Sequence, residues 1–229
     1  MIFSSNNNAI YGIFKNEHKN RFLCTVCVDG TDVICYISSS CRLSNFIDLS
    51  GKTVLLMPNK SKASKTLYTV YAVKIGRHFV LLNFAQANRV IESQLCRRHF
   101  SFLGKRKKVE REIFIESYKT DLFIYDTNTV VEIKSILTFN KKSLFPSVYS
   151  ERAIKQLQKL SHLLDIGYKV CYLLISLNSQ VKELYIDKND KIYYTLFKEC
   201  INKGMIVRAF SIHMNEQETK IYKNIDFIS

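Results

Sequence analysis

Short apolar, β-rich runs bounded by turn residues fill the first part of the chain, at 9–14, 21–28, 32–37, 53–57, 66–75 and 78–82. Asp29-Gly30 and Gly76-Arg77 lie between such runs and read as hairpin turns. Strands this short expose their edges unless the sheet closes, so the pattern predicts a small OB-like β-barrel. Residues 85–96 change to helical spacing through Ala87, Val90, Ile91 and Leu95. From Val109 the pattern is mixed. Strands are predicted at 109–115, 122–125 and 130–135, then a helix from Glu151 with Ile154, Leu157, Leu160 and Leu164 on one stripe. Ser150 suits its N-cap and Gly167 its end. A buried strand at 170–176, a helix capped by Asn189 and running to Lys203, and a last strand at 206–210 complete an α/β layer. The expected organisation is a barrel at 1–84, a helix and basic linker at 85–108, and an α/β domain at 109–229.

Composition excludes disorder, because 47% of the residues are hydrophobic and only two are proline. Charge narrows the partner class. Lys+Arg 34 against Asp+Glu 20 leaves +14, which favours a polyanion: nucleic acid first, an anionic membrane surface second. The cations also cluster. Arg97-Arg98-His99 and Lys105, Arg106, Lys107 and Lys108 surround Gly104, a run that can hold a phosphate backbone without reading sequence, or else form a solvated linker. In the barrel, Lys60, Lys62 and Lys65 interleave with Tyr68 and Tyr71, as a single-strand groove requires, although aromatics at strand spacing also build cores.

No apolar run approaches the roughly 20 residues of a membrane span. The seven cysteines are irregularly spaced and no secretory pattern precedes them, so a reducing cytoplasm is expected. Cys24 and Cys27 have CxxC spacing, but on a strand they face opposite ways and no second ligand pair accompanies them.

The stretch with the most chemistry is 120–134, where two β-rich runs flank a polar turn. A two-residue loop at Thr127-Asn128 would pair positions whose numbers sum to 255, setting Asp121 opposite Lys134 and Phe123 opposite Glu132. Asp121, Glu132 and Lys134 then share one face. A four-residue loop about the same centre keeps that parity, and a three-residue loop without a bulge reverses it. Two carboxylates on one face repel unless a cation lies between them, and oxygen ligands suit Mg²⁺ or Mn²⁺. A metal so held lowers the pKa of bound water for phosphodiester cleavage, and Lys134 would orient that water or stabilise the transition state. The spacing Asp-x10-Glu-x-Lys fits the PD-(D/E)xK nuclease signature.

Val131-Glu132-Ile133-Lys134-Ser135, then Phe145-Pro146, then Ser150-Glu151-Arg152-x-x-Lys155-x-Leu157-x-x-Leu160 resemble the sugar fermentation stimulation protein family. That family carries an E-V-K-S strand, an F-P-D-A segment and a T-E-R-G-x-K-H-L-x-E-L helix in this order. Asn20-Arg21-Phe22-Leu23, Ala87-Asn88-Arg89, Arg111-Glu112-Ile113 and Gly204-Met205-Ile206-Val207 are similar to further family segments, so the resemblance spans most of the chain. It implies an OB-like domain followed by a restriction-endonuclease-like α/β domain, with non-specific DNA binding and a metal-dependent nuclease site. By position it implies Asp121 and Glu132 as metal ligands with the Ile133 carbonyl as a further candidate, Lys134 as catalytic lysine, and Glu112 as an additional acidic residue. Arg152 and Lys155 are implied as phosphate contacts. Departures are Ser38-Ser39-Ser40 where the family has a proline-glycine turn, Lys119 for an arginine, Ser147 for the aspartate of F-P-D, and Gln156 for a histidine. The leading expectation is an Mg²⁺- or Mn²⁺-dependent DNA or RNA nuclease. The alternative is a non-catalytic DNA-binding regulatory protein linked to sugar metabolism, although no residue supports a sugar site.

Overall fold

Six strands occupy the first part of the chain: β1 (Ile10–Glu17), β2 (Leu23–Val28), β3 (Thr31–Ile37), β4 (Thr53–Pro58), β5 (Tyr68–Ile75) and β6 (His78–Leu81). They belong to a computed structural model that describes residues 10–38, 42–59, 61, 63–215 and 218–229. The sheet runs β3-β2-β1-β4-β5-β6, and β3 pairs in parallel with β5, through Cys35↔Tyr68 and Ile37↔Val70. That pairing closes the first five strands into an OB barrel, so their hydrogen-bonding edges are used up internally. Phe14, Val26, Ile37, Val54 and Val70 fill it. Asp29 and Gly30 both take positive φ, 49° and 80°, as a two-residue hairpin between Val28 and Thr31 demands. At Gly12 a Cβ would lie 2.5 Å from Val26 Cγ1 and 2.9 Å from the Cys27 oxygen, so only glycine admits this approach of β1 to β2.

The ring residues expected in a groove are placed otherwise. Tyr71 is buried, 3% exposed, and Tyr68 is half-buried against the core, so neither ring lies free on the surface. Lys65 is exposed, and Lys60 and Lys62 lie outside the described residues.

The remainder begins with α1 (Phe84–Gln94) and a 3₁₀ turn at Arg98–Leu103, followed by β7 (Val109–Arg111), β8 (Phe114–Ile115), β9 (Tyr118–Lys119), β10 (Leu122–Ile124) and β11 (Thr129–Ile136). Then come β12 (Lys142–Phe145), α2 (Glu151–Asp165), β13 (Lys169–Ser176), β14 (Glu183–Ile186), α3 (Lys191–Asn202), β15 (Ile206–Met214), β16 (Thr219–Asn224) and β17 (Asp226–Ile228). A mixed six-stranded sheet is ordered β16-β15-β13-β11-β10-β7, with β11, β13 and β15 parallel. One face of it, with Val130, Tyr172 and Leu174, is covered by α2 and α3. The other, with Val131, Ile133 and Leu173, shares a continuous core with the barrel, α1 and Phe100. Leu81 N–H donates to the Leu177 oxygen at 3.0 Å across that junction.

Several expectations change. Segment 85–108 is no free linker, because Phe100 and Leu103 are buried and Arg106 donates to the backbone oxygens of Arg97 and Gly104 at 3.0 and 2.6 Å. Run 109–115 breaks in two at Glu112, whose φ of 55° no strand accommodates. The second long helix is capped by Asp190, whose Oδ1 accepts from Tyr193 N–H at 3.1 Å, one residue later than Asn189. The last strand predicted at 206–210 continues to Met214, and β9, β12, β14, β16 and β17 are additional. Ser150 does cap its helix, accepting from Ala153 N–H at 3.2 Å. Among the described residues no helix is long and apolar enough to cross a membrane.

Candidate active site

β10 and β11 form the expected hairpin in a different register. Leu122 pairs with Val131 and Ile124 with Thr129, so partner numbers sum to 253. The loop is four residues, a 3₁₀ turn over Tyr125–Thr127 closed by Asn128 at φ 53°. Its centre lies one residue earlier than expected, and every pairing moves by two. Side chains alternate with period two, so the shift preserves faces. Extending the register sets Asp121 across from Glu132 rather than Lys134. Phe123 and Val130 pack on the α2 side of the sheet, and Asp121, Glu132 and Lys134, at the same parity, turn that way too.

Glu132 is 3% exposed and its carboxylate is fully engaged. Oε1 lies 2.6 Å from Lys134 Nζ, and Oε2 accepts from the Tyr118 hydroxyl. Burial and this carboxylate push the Tyr118 hydroxyl pKa well up, so it stays a donor. Lys134 Nζ also donates to Gln156 Oε1 on α2, at 2.6 Å. Asp121 Oδ2 accepts from Ile133 N–H at 2.7 Å and Oδ1 from Asn88 Nδ2 at 3.1 Å. The Ile133 N–H thus helps to fix the Asp121 carboxylate. Burial, and then the charge of Glu132, raise the Asp121 pKa from 3.8 to about 6 against the opposing pull of Ile133, Lys134 and Asn88.

A raised pKa caused in part by a neighbouring carboxylate marks a pair that a cation would relieve. The donors fit Mg²⁺ or Mn²⁺, which need only one or two carboxylates and take the rest of their oxygens from water and phosphates. Among the described residues no group of three His, Cys, Asp or Glu side chains gathers to hold a metal.

Around the pair opens a cleft of about 640 Å³, walled by the β8–β9 hairpin on one side and the first turns of α2 on the other. Arg152 and Lys155 line it, both exposed and without an ion pair among the described residues. Lys159 Nζ donates to the Ser117 oxygen at 2.9 Å and fixes the hairpin to the helix. Glu112 stands at the rim. Its carboxylate pairs with Lys119 at 2.9 Å and Arg111 at 3.7 Å, which hold its pKa below the ordinary value. Only its backbone reaches the centre, where Glu112 N–H donates to the Asp121 oxygen at 3.1 Å.

The basic run lies away from this cleft lining and is partly committed. Lys105 pairs with Asp126 at 3.4 Å, the N–H groups of Lys107 and Lys108 donate to that same carboxylate, and Lys108 Nζ stands 4.3 Å over the Tyr125 ring. Arg106 is spent on backbone oxygens, as above, which removes its fork from the surface available to phosphates. Tyr118, Asn88 and Gln156 are the contacts that sequence reasoning missed as site partners. Asn88 and Gln156 stood in the family-like segments, whereas nothing in the spacing marked Tyr118.

The Asp121 carboxyl predicts a pH signature in EDTA. Below about pH 4 folded and unfolded chains both carry the proton, and the position contributes nothing. Between about pH 4 and 6 the unfolded chain ionises first, so the contribution of Asp121 to stability falls by up to about 3 kcal/mol and then levels off. Asp121→Asn cannot ionise and is expected to gain on the wild type over that window. Urea unfolding of both proteins at pH 4 and pH 7 measures it, and an unchanged difference would count against the buried carboxyl.

The comparisons agree with this architecture. The family model for the SfsA N-terminal OB domain matches residues 17–82, and that for the sugar fermentation stimulation protein RE domain matches residues 85–218. A sugar fermentation stimulation protein homolog from Saccharolobus solfataricus is 26% identical over 87% of this chain and 79% of its own length. One from Pseudoalteromonas atlantica is 24% identical over 97% and 98%. The solved structure of Pyrococcus furiosus SfsA in complex with Ca²⁺ has the same fold, with a TM-score of 0.81 at 19% identity over the whole of both chains. With an OB barrel fused through one core to a mixed sheet, and with both family models matched in that order, the chain belongs to the sugar fermentation stimulation protein family.

Proposed function

We propose that the cleft is a divalent-cation-dependent phosphodiesterase site acting on DNA or RNA, largely without sequence specificity. The observation that carries this reading is the convergence of Asp121, Glu132 and Lys134 on one sheet face, opposite the unpaired cations Arg152 and Lys155. Asp121 and Glu132 would hold Mg²⁺ or Mn²⁺, which when bound polarises a phosphoryl oxygen and makes water a nucleophile near neutral pH. The related Pyrococcus protein, described in complex with Ca²⁺, supports a divalent cation in this fold.

Lys134 is anchored by Gln156 and Glu132, so its ammonium is held at the carboxylate pair where the attacking water must be oriented and negative charge develops. Arg152 and Lys155 hold the phosphate backbone from the helix side. Such contacts position the polymer and read no bases, which is why low specificity follows. Free cysteines, six of them among the described residues, fit a reducing cytoplasm.

A second reading is a DNA-binding regulatory protein that does not cut. It is favoured by one observation: both Asp121 oxygens and both Glu132 oxygens already accept hydrogen bonds or an ion pair. Incubation with single- and double-stranded DNA and RNA, in Mg²⁺, Mn²⁺ or EDTA, separates the two. Products that need the metal support the enzyme. Polymer left intact under every condition would leave the binding protein.

A further inference from the structure

Phe114 is the most exposed large apolar side chain among the described residues, at 69%, and it lines the cleft rather than an idle surface. The local chain puts it there. Ile113 and Ile115 pack into the core beneath α2, so the side chain between them must face the other way. In the β8–β9 hairpin Phe114 pairs with Lys119 and Ile115 with Tyr118, and the burial of Tyr118 agrees with that alternation.

The element that carries the ring is held on several sides. Lys159 Nζ ties Ser117 to α2 at 2.9 Å, and Thr120 N–H donates to the Ile113 oxygen at 2.9 Å. Glu112 and Glu116, at φ 55° and 51°, bracket Phe114 with two left-handed turns that non-glycine residues adopt only at a cost. A ring fixed in this way loses little freedom when a flat ligand settles on it. A single exposed apolar side chain is ordinary on a protein surface, and its surroundings decide what it means. Here the facing wall carries Arg152 and Lys155, exposed and without an ion pair among the described residues, whereas Lys119 beside the ring is already paired with Glu112. A flat apolar face across from two free cations suits a ligand that joins a π-system to phosphate better than it suits an apolar peptide.

We infer that Phe114 stacks on an unpaired base of the strand whose phosphates lie along Arg152 and Lys155, so that the cleft selects single-stranded or frayed polymer over intact duplex. Every base has a π-face, so this contact holds a strand without reading its sequence. Bases inside a duplex are already stacked on their neighbours and offer no free face to the ring. The inference rests on the proposed reading of the cleft and adds to it a strand preference set by one side chain.

The test is binding in EDTA, which does not depend on whether the cleft cuts. Fluorescence anisotropy compares the wild type, Phe114→Ala and Phe114→Tyr on three labelled ligands of equal length: oligo-dT, an abasic sugar-phosphate strand, and a duplex. Phe114→Ala is expected to weaken oligo-dT binding by about five- to a hundredfold, to leave the abasic strand and the duplex unchanged, and Phe114→Tyr to stay close to wild type. Because the ring is exposed, urea unfolding of the alanine variant is expected to match the wild type, which separates lost stacking from lost folding. Phe114→Ala protein that binds oligo-dT as the wild type does, or that loses the abasic strand and the duplex equally, would overturn the stacking. An unaltered oligo-dT affinity alongside metal-dependent products in the cleavage assay overturns this inference alone. Loss of oligo-dT affinity with no cutting in any metal keeps the stacking and removes the phosphodiesterase. A wild type that binds none of the three ligands removes both.

Discussion

Replacing Lys134 with alanine is expected to lower metal-dependent strand cleavage by about 10²- to 10⁴-fold while nucleic-acid affinity in EDTA stays within a few-fold of wild type. The loss is large because, among the described residues, Lys134 is the one cation held directly against the carboxylate pair, with its ammonium fixed by Gln156 and Glu132 at 2.6 Å each. Arg152 and Lys155, the proposed backbone contacts on the helix side, remain in place, so binding is expected to be spared. The same substitution leaves Glu132 buried with Tyr118 as its remaining donor. Breaking a buried pair costs roughly 3–5 kcal/mol, and because Lys134 is 21% exposed the loss belongs at the low end of that range. Urea unfolding reads the stability effect separately from the rate. Cleavage at wild-type speed by a folded Lys134→Ala protein would remove Lys134 from the chemistry.

The second large effect concerns the cation. Glu132→Gln keeps the shape of the side chain and an oxygen for the Tyr118 hydroxyl to donate to, but removes the negative charge. Divalent-ion affinity is expected to fall at least about a hundredfold, since Glu132 is one of the two carboxylates proposed to hold the ion and hard cations depend on ligand charge. Mn²⁺ titration followed by electron paramagnetic resonance counts the free ion directly. Asp121→Asn is expected to behave alike, and its Ile133 hydrogen bond can survive through the amide oxygen. Unchanged Mn²⁺ binding in both variants would place any cation elsewhere.

How far the sequence carried the site can be judged on the hairpin. Its register is two residues off the expected one, yet the shared face of Asp121, Glu132 and Lys134 holds, because strand alternation depends on parity and the error was even. Turn chemistry, by contrast, was misread. Asn128 supplies the left-handed residue that closes a four-residue loop rather than the second position of a two-residue one. Tyr118 was invisible because β8 and β9 have two residues each, too short to show a period.

Charge and ring content had the opposite weakness. Lys105, Arg106, Lys107 and Lys108 look alike in a sequence, but one of them is consumed by backbone oxygens and two give their N–H groups to Asp126. Tyr68 and Tyr71 seemed suited to a groove, whereas the barrel rings left outside include Tyr11, Phe22 and Tyr36. Which face of a strand looks inward is set by how the barrel closes, a long-range pairing of β3 with β5 that no local pattern encodes.

The measurement that bears most directly on the central claim is a single-turnover time course on a labelled strand bound to the protein in EDTA, started by adding excess Mg²⁺. No product is expected before the addition, with rapid cutting by wild type afterwards and little or none by Asp121→Asn under the same conditions. A strand that stays whole after Mg²⁺ is added, or one that Asp121→Asn cuts as fast as the wild type, would contradict the claim.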